Sequence, residues 1–161
     1  MPVIKRIMCP VDFSDTAAVG AREAANLARN AQAELLLVHV ISEPRLSGSD
    51  ERGYPAPIVQ QFEMISRRKL ELLAAALKNV APVRTLLVRG PVDLAIAQAA
   101  VKQSVDLIVM GARARRGLAR LVADSMTERV MQQARVPVVR VCPAPREPNN
   151  RPSFIHGHGH A

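Results

Sequence analysis

The run AELLLVHVI, from Ala33 to Ile41, constrains the fold more than any other stretch of the chain. A strand with one wet face alternates apolar and polar residues. A near-continuous apolar run too short for a helix instead implies a strand buried on both faces. Such strands belong almost only to parallel sheets covered by helices on each side. A second run of the same kind, Leu107-Ile108-Val109-Met110-Gly111, ends at a glycine. The segment from Val105 to Val141 then reads as strand, arginine-rich loop, capped helix and closing strand.

The rest of the chain fits that frame by alternating strand and helix signals. Val3 to Cys9 is the first expected strand, and Pro10-Val11-Asp12-Phe13-Ser14 is a turn whose Ser14 can cap a helix from Asp15 to about Asn30. Ala17, Ala18, Ala21, Ala24, Ala25 and Ala28 make this helix narrow enough to sit close to the sheet, with Leu27 supplying most of the bulk. Glu34 to Ile41 is the second strand. SEPRLSGSDERGYPAP, from Ser42 to Pro57, reads as a long mobile connection. Ile58, Phe62, Ile65, Leu72, Leu73 and Ala76 follow at helical spacing, giving a helix to about Lys78 with Arg67, Arg68 and Lys69 on a solvated face.

Val83 to Arg89 gives a third strand, Gly90-Pro91 a helix start, Val92 to Gln103 a third helix, and Val105 to Met110 a fourth strand. Beyond the loop ARARRGLARLVAD, Ser125-Met126-Thr127-Glu128 forms a capping box. Val130, Met131 and Ala134 form the buried face of the helix it opens, Pro137 marks the exit, and Val138 to Val141 is the fifth strand. The expected organisation is one α/β domain over residues 1–143 and a disordered Pro-rich, His-containing tail over 144–161.

Composition sets limits on function. A chain of 161 residues suits one domain, and 48% hydrophobic content with three Phe, one Tyr and no Trp requires an aliphatic core. A formal charge of +8 and a pI near 10.7 would suit a polyanion partner. The near absence of aromatic stacking platforms argues against single-strand binding, so nucleic acid is disfavoured. MPVIKRIMCPVDF passes from a basic pair directly into a strand pattern, so no secretory leader is expected. No apolar run reaches membrane-spanning length, and Cys9 and Cys142 fit free thiols, so a cytoplasmic location off the membrane is expected.

Five strands alternating with four helices imply a doubly wound open sheet, which binds ligands beyond the carboxyl ends of its strands. The first strand delivers Pro10, Val11 and Asp12 to that edge, the second Val40, and the fourth Met110 and Gly111. The helix start at Ser125 and Met126 directs free N–H groups toward the same crevice, a cradle suited to phosphate. The chain carries no P-loop, paired-carboxylate motif or nucleophilic set, so no catalytic residue is assigned.

The sequence resembles the universal stress protein family from Ile4 to Val141. IMCPVDFSDTA is similar to that family's first strand and turn; Met110-Gly111, Arg116-Gly117-Leu118 and Ser125-Met126-Thr127-Glu128-Arg129-Val130 resemble its C-terminal signature, and Pro137 to Val141 its last strand. The resemblance implies a Rossmann-like five-stranded parallel sheet of order 3-2-1-4-5 with helices on both faces. It also implies a role in stress survival and a homodimer joined through the last strand, Val138, Val139, Arg140 and Val141. Asp12 resembles the residue that lies against the nucleotide's adenosine part, with Val40 beside the base, and reads equally well as a turn aspartate that helps set up the following helix.

The nucleotide-binding branch of that family spaces Gly, two residues, Gly, nine residues, Gly, then Ser or Thr. In this register stand Gly111, Ala114, Asp124 and Ser125, so two glycines are replaced. Backbone N–H groups cradle phosphate oxygens only where no side chain intervenes. Ala114 adds one methyl. Asp124 adds a carboxylate, and like charges a few ångströms apart cost about 1–4 kcal/mol. The ordinary reading of Asp124 and Ser125 is helix capping, with Asp124 taking the phosphate's place. Arg113, Arg115, Arg116 and Arg120 could offset that charge, or form a solvated basic surface.

Three readings follow. The first is a stress-response dimer acting through contacts with unidentified proteins, its nucleotide pocket altered at two glycines. The second is a sensor or slow ATPase binding ATP or another adenine nucleotide, with Mg where ATP is held. The third is a basic nucleic-acid binder. His156, His158 and His160 alternate with glycine in the tail and are weak metal candidates, because no other ligand is tied to them, so no metal is assigned. His39 reads as a satisfied strand residue.

Overall fold

A computed structural model of the chain describes residues 3–42, 56–112 and 126–142. Five strands and four helices alternate: β1 Arg6–Pro10, α1 Asp15–Ala31, β2 Glu34–Ile41, α2 Ala56–Leu77, β3 Val83–Arg89, α3 Val92–Lys102, β4 Leu107–Gly111, α4 Met126–Gln133 and β5 Val138–Val141. The strands form one sheet in the order β3-β2-β1-β4-β5. Every pairing is parallel, from Arg6 opposite Glu34 to Gly111 opposite Val141. The doubly wound α/β architecture expected from the apolar runs is therefore present.

β2 shows why those runs matter. Leu35 and Leu37 enter a core layer with α1 and α2, whereas Leu36 and Val38 enter a second layer with α3. Leu35 to Val38 are all at most 1% exposed, so both faces of the strand are covered. The two layers are almost wholly aliphatic, as a chain with so few rings requires.

At the amino ends of the strands, polar groups close the sheet. Asp106 Oδ2 accepts the backbone N–H groups of Lys5 and Arg6 at 2.8 and 2.9 Å. Arg6 Nε donates to Glu34 at 2.8 Å, Arg84 lies 3.7 Å from the same carboxylate, and an Arg6 Nη1–H donates to the Gln103 carbonyl. These pairs are partly exposed, and each contributes on the order of 1 kcal/mol or less.

α1 is an alanine helix, and its packing overturns one expectation. Its buried face is Ala17, Gly20, Ala21, Ala24, Ala25 and Ala28, whereas Leu27 is exposed. The helix approaches the sheet too closely for a leucine to fit between them. A Cβ placed on Gly20 would lie 2.5 Å from Gly111 N and 2.8 Å from Gly111 Cα, so helix and strand meet backbone to backbone.

α2 corrects a second expectation. Ile58, Phe62, Ile65, Leu72 and Ala76 lie on its exposed side, and the face that enters the core is Leu70, Ala74 and Leu77 with Leu73 half-buried. Both sets repeat at helical spacing, so periodicity did not distinguish them. On α4, Val130 is fully buried but Met131 is exposed, because the helix turns only one narrow face inward.

Element ends also shift. β1 begins at Arg6 rather than Val3, which is exposed and among the described residues has no strand beside it, since β2 pairs only from Glu34 onward. β4 begins at Leu107, because Val105 N–H still bonds back to Ala100 beyond α3. α3 ends one residue earlier, at Lys102, with Gln103 as its cap. α2 starts at Ala56 and takes in Pro57, whose missing N–H is no loss in a first turn. The mobile connection expected over residues 42–57 therefore gives up Ala56 and Pro57 to α2, and its residues 43–55, like the tail expected over 144–161, lie outside the described residues.

Candidate functional site

The turn after β1 is built by hydrogen bonds at every step. Val11 N–H donates to the Val38 carbonyl at 2.8 Å, and the Val11 carbonyl accepts from His39 Nδ1 at 2.7 Å. A carbonyl can only accept, so His39 carries its proton on Nδ1. Phe13 then takes φ +63°, a left-handed backbone uncommon for a bulky residue. Its ring packs on His39 with centroids 4.4 Å apart, and Lys69 Nζ lies 5.5 Å from the Phe13 centroid.

Ser14 closes the turn and opens α1. Its N–H and Oγ–H donate to Asp12 Oδ1 at 3.0 and 2.5 Å, while Oγ accepts from Ala17 N–H at 3.2 Å. The N-cap expected at Ser14 is thus formed. Partial burial would raise the Asp12 carboxyl, but the hydrogen bonds from the Ser14 hydroxyl and amide and from its own backbone, with His39 nearby, outweigh it. Asp12 is held below the ordinary carboxylate range and stays anionic at the rim.

Beyond the strand ends lies a cavity of about 470 Å³. That is within the usual size of small-molecule sites, roughly 300–1,000 Å³. Its floor is apolar, with Val38, Val40, Ile96 and Met110; Asp12, Ser14 and Thr16 line one side and Met126 and Thr127 the other. The cavity sits where β1 is flanked by β2 on one side and β4 on the other, the reversal point of strand order at which doubly wound sheets bind ligands.

Pro10, Val11, Asp12, Val40, Met110, Gly111 and Met126 all line this one cavity, as strand-end placement required. Arg113, Ala114, Gly117, Asp124 and Ser125 fall outside the described residues. Sequence reasoning missed the contributions of Thr16, His39, Val92, Ile96 and Thr127. Thr127 falls within the expected capping box and Thr16 is the second residue of α1, so proximity to those helix starts is their only signal. Among the described residues no cluster of His, Cys, Asp or Glu could hold a metal ion.

Comparison with known proteins accords with this geometry. The universal stress protein family model matches residues 4–141. The chain belongs to that family. A universal stress protein of Methanocaldococcus jannaschii is 31% identical over 145 residues, covering 85% of this chain and 81% of that one. The solved structure of a universal stress family protein from Burkholderia pseudomallei is 27% identical with a TM-score of 0.68, covering 88% of this chain and 98% of the other. A universal stress protein from Archaeoglobus fulgidus, solved in complex with dAMP, shares the fold at 21% identity and a TM-score of 0.60, covering 86% and 98% of the two chains.

Gly111, the first anchor of the family's nucleotide motif, has a second reason to be glycine here. A Cβ on it would strike the Thr16 carbonyl group, 2.8 Å from its carbon, and lie 3.2 Å from Ala17 Cα. The residue therefore lets the first turn of α1 rest on the end of β4. In this universal stress protein, a glycine at the motif's first position does not by itself signal a phosphate loop.

Proposed function

We propose that the chain binds an adenine nucleotide in this crevice, as part of a stress-response role, with the nucleoside against Asp12 and Val40. The observation that carries the reading is the pairing of an apolar floor with an anionic Asp12 fixed by Ser14. An apolar floor accepts a base, and a rigid carboxylate accepts from ribose hydroxyl or exocyclic amino groups. The like-folded dAMP-bound protein supports the choice of nucleotide. Gly111 and Met126, described residues that precede and follow 113–125 in sequence, both line the cavity. The phosphates are assigned to Gly111 and to the motif positions Arg113, Ala114, Gly117 and Ser125, with the Asp124 carboxylate opposing them and offset by the neighbouring arginines. Where the nucleotide is ATP, Mg accompanies its phosphates.

The test is twofold. Denaturing the purified protein and separating the released small molecules should yield an adenine nucleotide, and calorimetry with AMP and with Mg-ATP should show saturable binding weakened at least about tenfold by Asp12→Asn. No released nucleotide together with no binding at millimolar ligand would overturn the reading.

A second reading rests on β5, an end strand of the sheet with Val139 and Arg140 exposed. Open strand edges pair readily with other chains. Val138, Val139, Arg140 and Val141 are proposed as the seam of a homodimer acting through protein contacts in the cytoplasm. Sedimentation of the wild type as a monomer at micromolar concentration would exclude it.

A further inference from the structure

The cavity's polar rim depends on a residue whose side chain faces away from the floor. Along β2, Val38 and Val40 pack with the α3 layer, whereas Leu35 and Leu37 pack with the α1 and α2 layer. Alternation places His39 on the α1 and α2 side, where its ring meets Phe13. From there it reaches back to the Val11 carbonyl at 2.7 Å.

We infer that His39 is the positioning residue of the nucleotide crevice: its Nδ1–H fixes the Val11–Asp12 peptide plane and so aims the Asp12 carboxylate into the cavity. This deepens the nucleotide-binding reading and rests on it. Both polar groups of Val11 bond to β2, its N–H to Val38 and its carbonyl to His39. The Val11 carbonyl and the Asp12 N–H share one rigid peptide plane, so holding one directs the other. Asp12 is fixed from its far side by the two bonds from Ser14. The turn between them contains Phe13 at φ +63°, a conformation that persists only when its surroundings over-determine it. The Phe13 ring is held against His39 and beneath the Lys69 ammonium. His39 thus serves the turn twice, as donor and as stacking surface, and its place in the β2–β3 ladder opposite Leu87 keeps its backbone fixed.

The experiment compares wild type, His39→Ala and His39→Asn. Asparagine carries an N–H donor one bond from Cγ, as Nδ1 does, so it can restore the bond to Val11 without the ring. Mg-ATP affinity should fall about tenfold in His39→Ala, equivalent to ~1.4 kcal/mol, and return to within about threefold in His39→Asn. Circular dichroism confirms that each variant is folded. A ligand-free readout accompanies it: the 15N shift of the Asp12 amide should move in His39→Ala and return toward the wild-type value in His39→Asn. Unchanged affinity in a nucleotide-binding His39→Ala, or an unmoved Asp12 amide, would overturn the inference. Should His39→Ala fail to fold, imidazole 15N spectra of the wild type decide: a proton on Nε2 rather than Nδ1 overturns it. If the wild type binds no nucleotide, the functional reading falls, while the amide and tautomer data still judge the role of His39 in the turn.

Discussion

Replacing Gly20 by alanine tests the close contact between α1 and β4. In a free helix this exchange would stabilise by about 1 kcal/mol, because glycine is a poor helix former. Here the added Cβ would lie 2.5 Å from Gly111 N and 2.8 Å from Gly111 Cα. Favourable contacts lie near 3.5–4.0 Å, so the methyl must retreat by about 1 Å. Its obstacles are backbone atoms with no rotamer to change, so the helix or the strand end must move. Overpacking of this kind costs roughly 1–3 kcal/mol, and backbone obstacles put it at the upper end. After the propensity gain, a net loss of about 2 kcal/mol remains. For a domain near this size each kcal/mol shifts Tm by roughly 2–4 °C, so Tm should fall about 4–8 °C in a far-ultraviolet circular dichroism melt. Ala75→Gly, at an exposed position inside α2, calibrates the propensity term at about 1 kcal/mol. An unchanged or higher Tm for Gly20→Ala would refute the backbone contact.

Leu70→Ala should cost about 2–5 kcal/mol in urea unfolding, because Leu70 is buried, whereas Leu72→Ala on the exposed side should cost under about 1 kcal/mol. Burial pushes the Cys9 thiol up to about 12, and Cys142 is exposed. Iodoacetamide at neutral pH should therefore modify Cys142 in the native protein and reach Cys9 only after denaturation, as mass spectrometry of peptides would show. Asp12 is held below its ordinary value of 3.8, so the stability it contributes is present above that value and lost as pH falls through its lowered folded value. The stability difference between wild type and Asp12→Asn should hold at neutral pH and close only in that acid range, measured by urea unfolding at each pH.

Much of the fold was legible because burial on two faces leaves a signature in the sequence. Glu34–Ile41, Val83–Arg89 and Val138–Val141 have the bounds that their residues implied. Errors arose where local pattern depends on a partner elsewhere. Val3 has a strand former's side chain, but among the described residues no strand pairs with its backbone. Leu27 is the bulkiest apolar residue of an alanine-rich stretch, yet the distance between α1 and the sheet, set by Gly20 and Gly111, excludes it. α2 carries two apolar faces, and only the sheet's position selects Leu70, Ala74 and Leu77.

At the site, topology alone gathered the strand-end residues, since carboxyl ends of adjacent parallel strands must share an edge. His39 is satisfied, as expected of a strand histidine, but its partner is the Val11 carbonyl, 28 positions away in the chain, which no local pattern reports. The spacing motif singles out Gly111 in the sequence, whereas its contact with Thr16 emerges only once the helix is placed in space.

The position of β1 has a consequence for how the chain comes into being during synthesis. β1 is first in sequence but lies in the middle of the sheet, flanked by β2 and β4. Its pairing with β2 can form once residues near Glu34 emerge, but its other edge must wait for Leu107. The Asp106 carboxylate that receives the Lys5 and Arg6 amides arrives about a hundred residues late. A nascent chain holding β1, β2 and β3 therefore carries a bare apolar strand edge until β4 emerges. Parallel pairings of such long separation form slowly and leave edges open to aggregation. The strand at the centre of the finished molecule is the part of the newborn chain most in need of shelter.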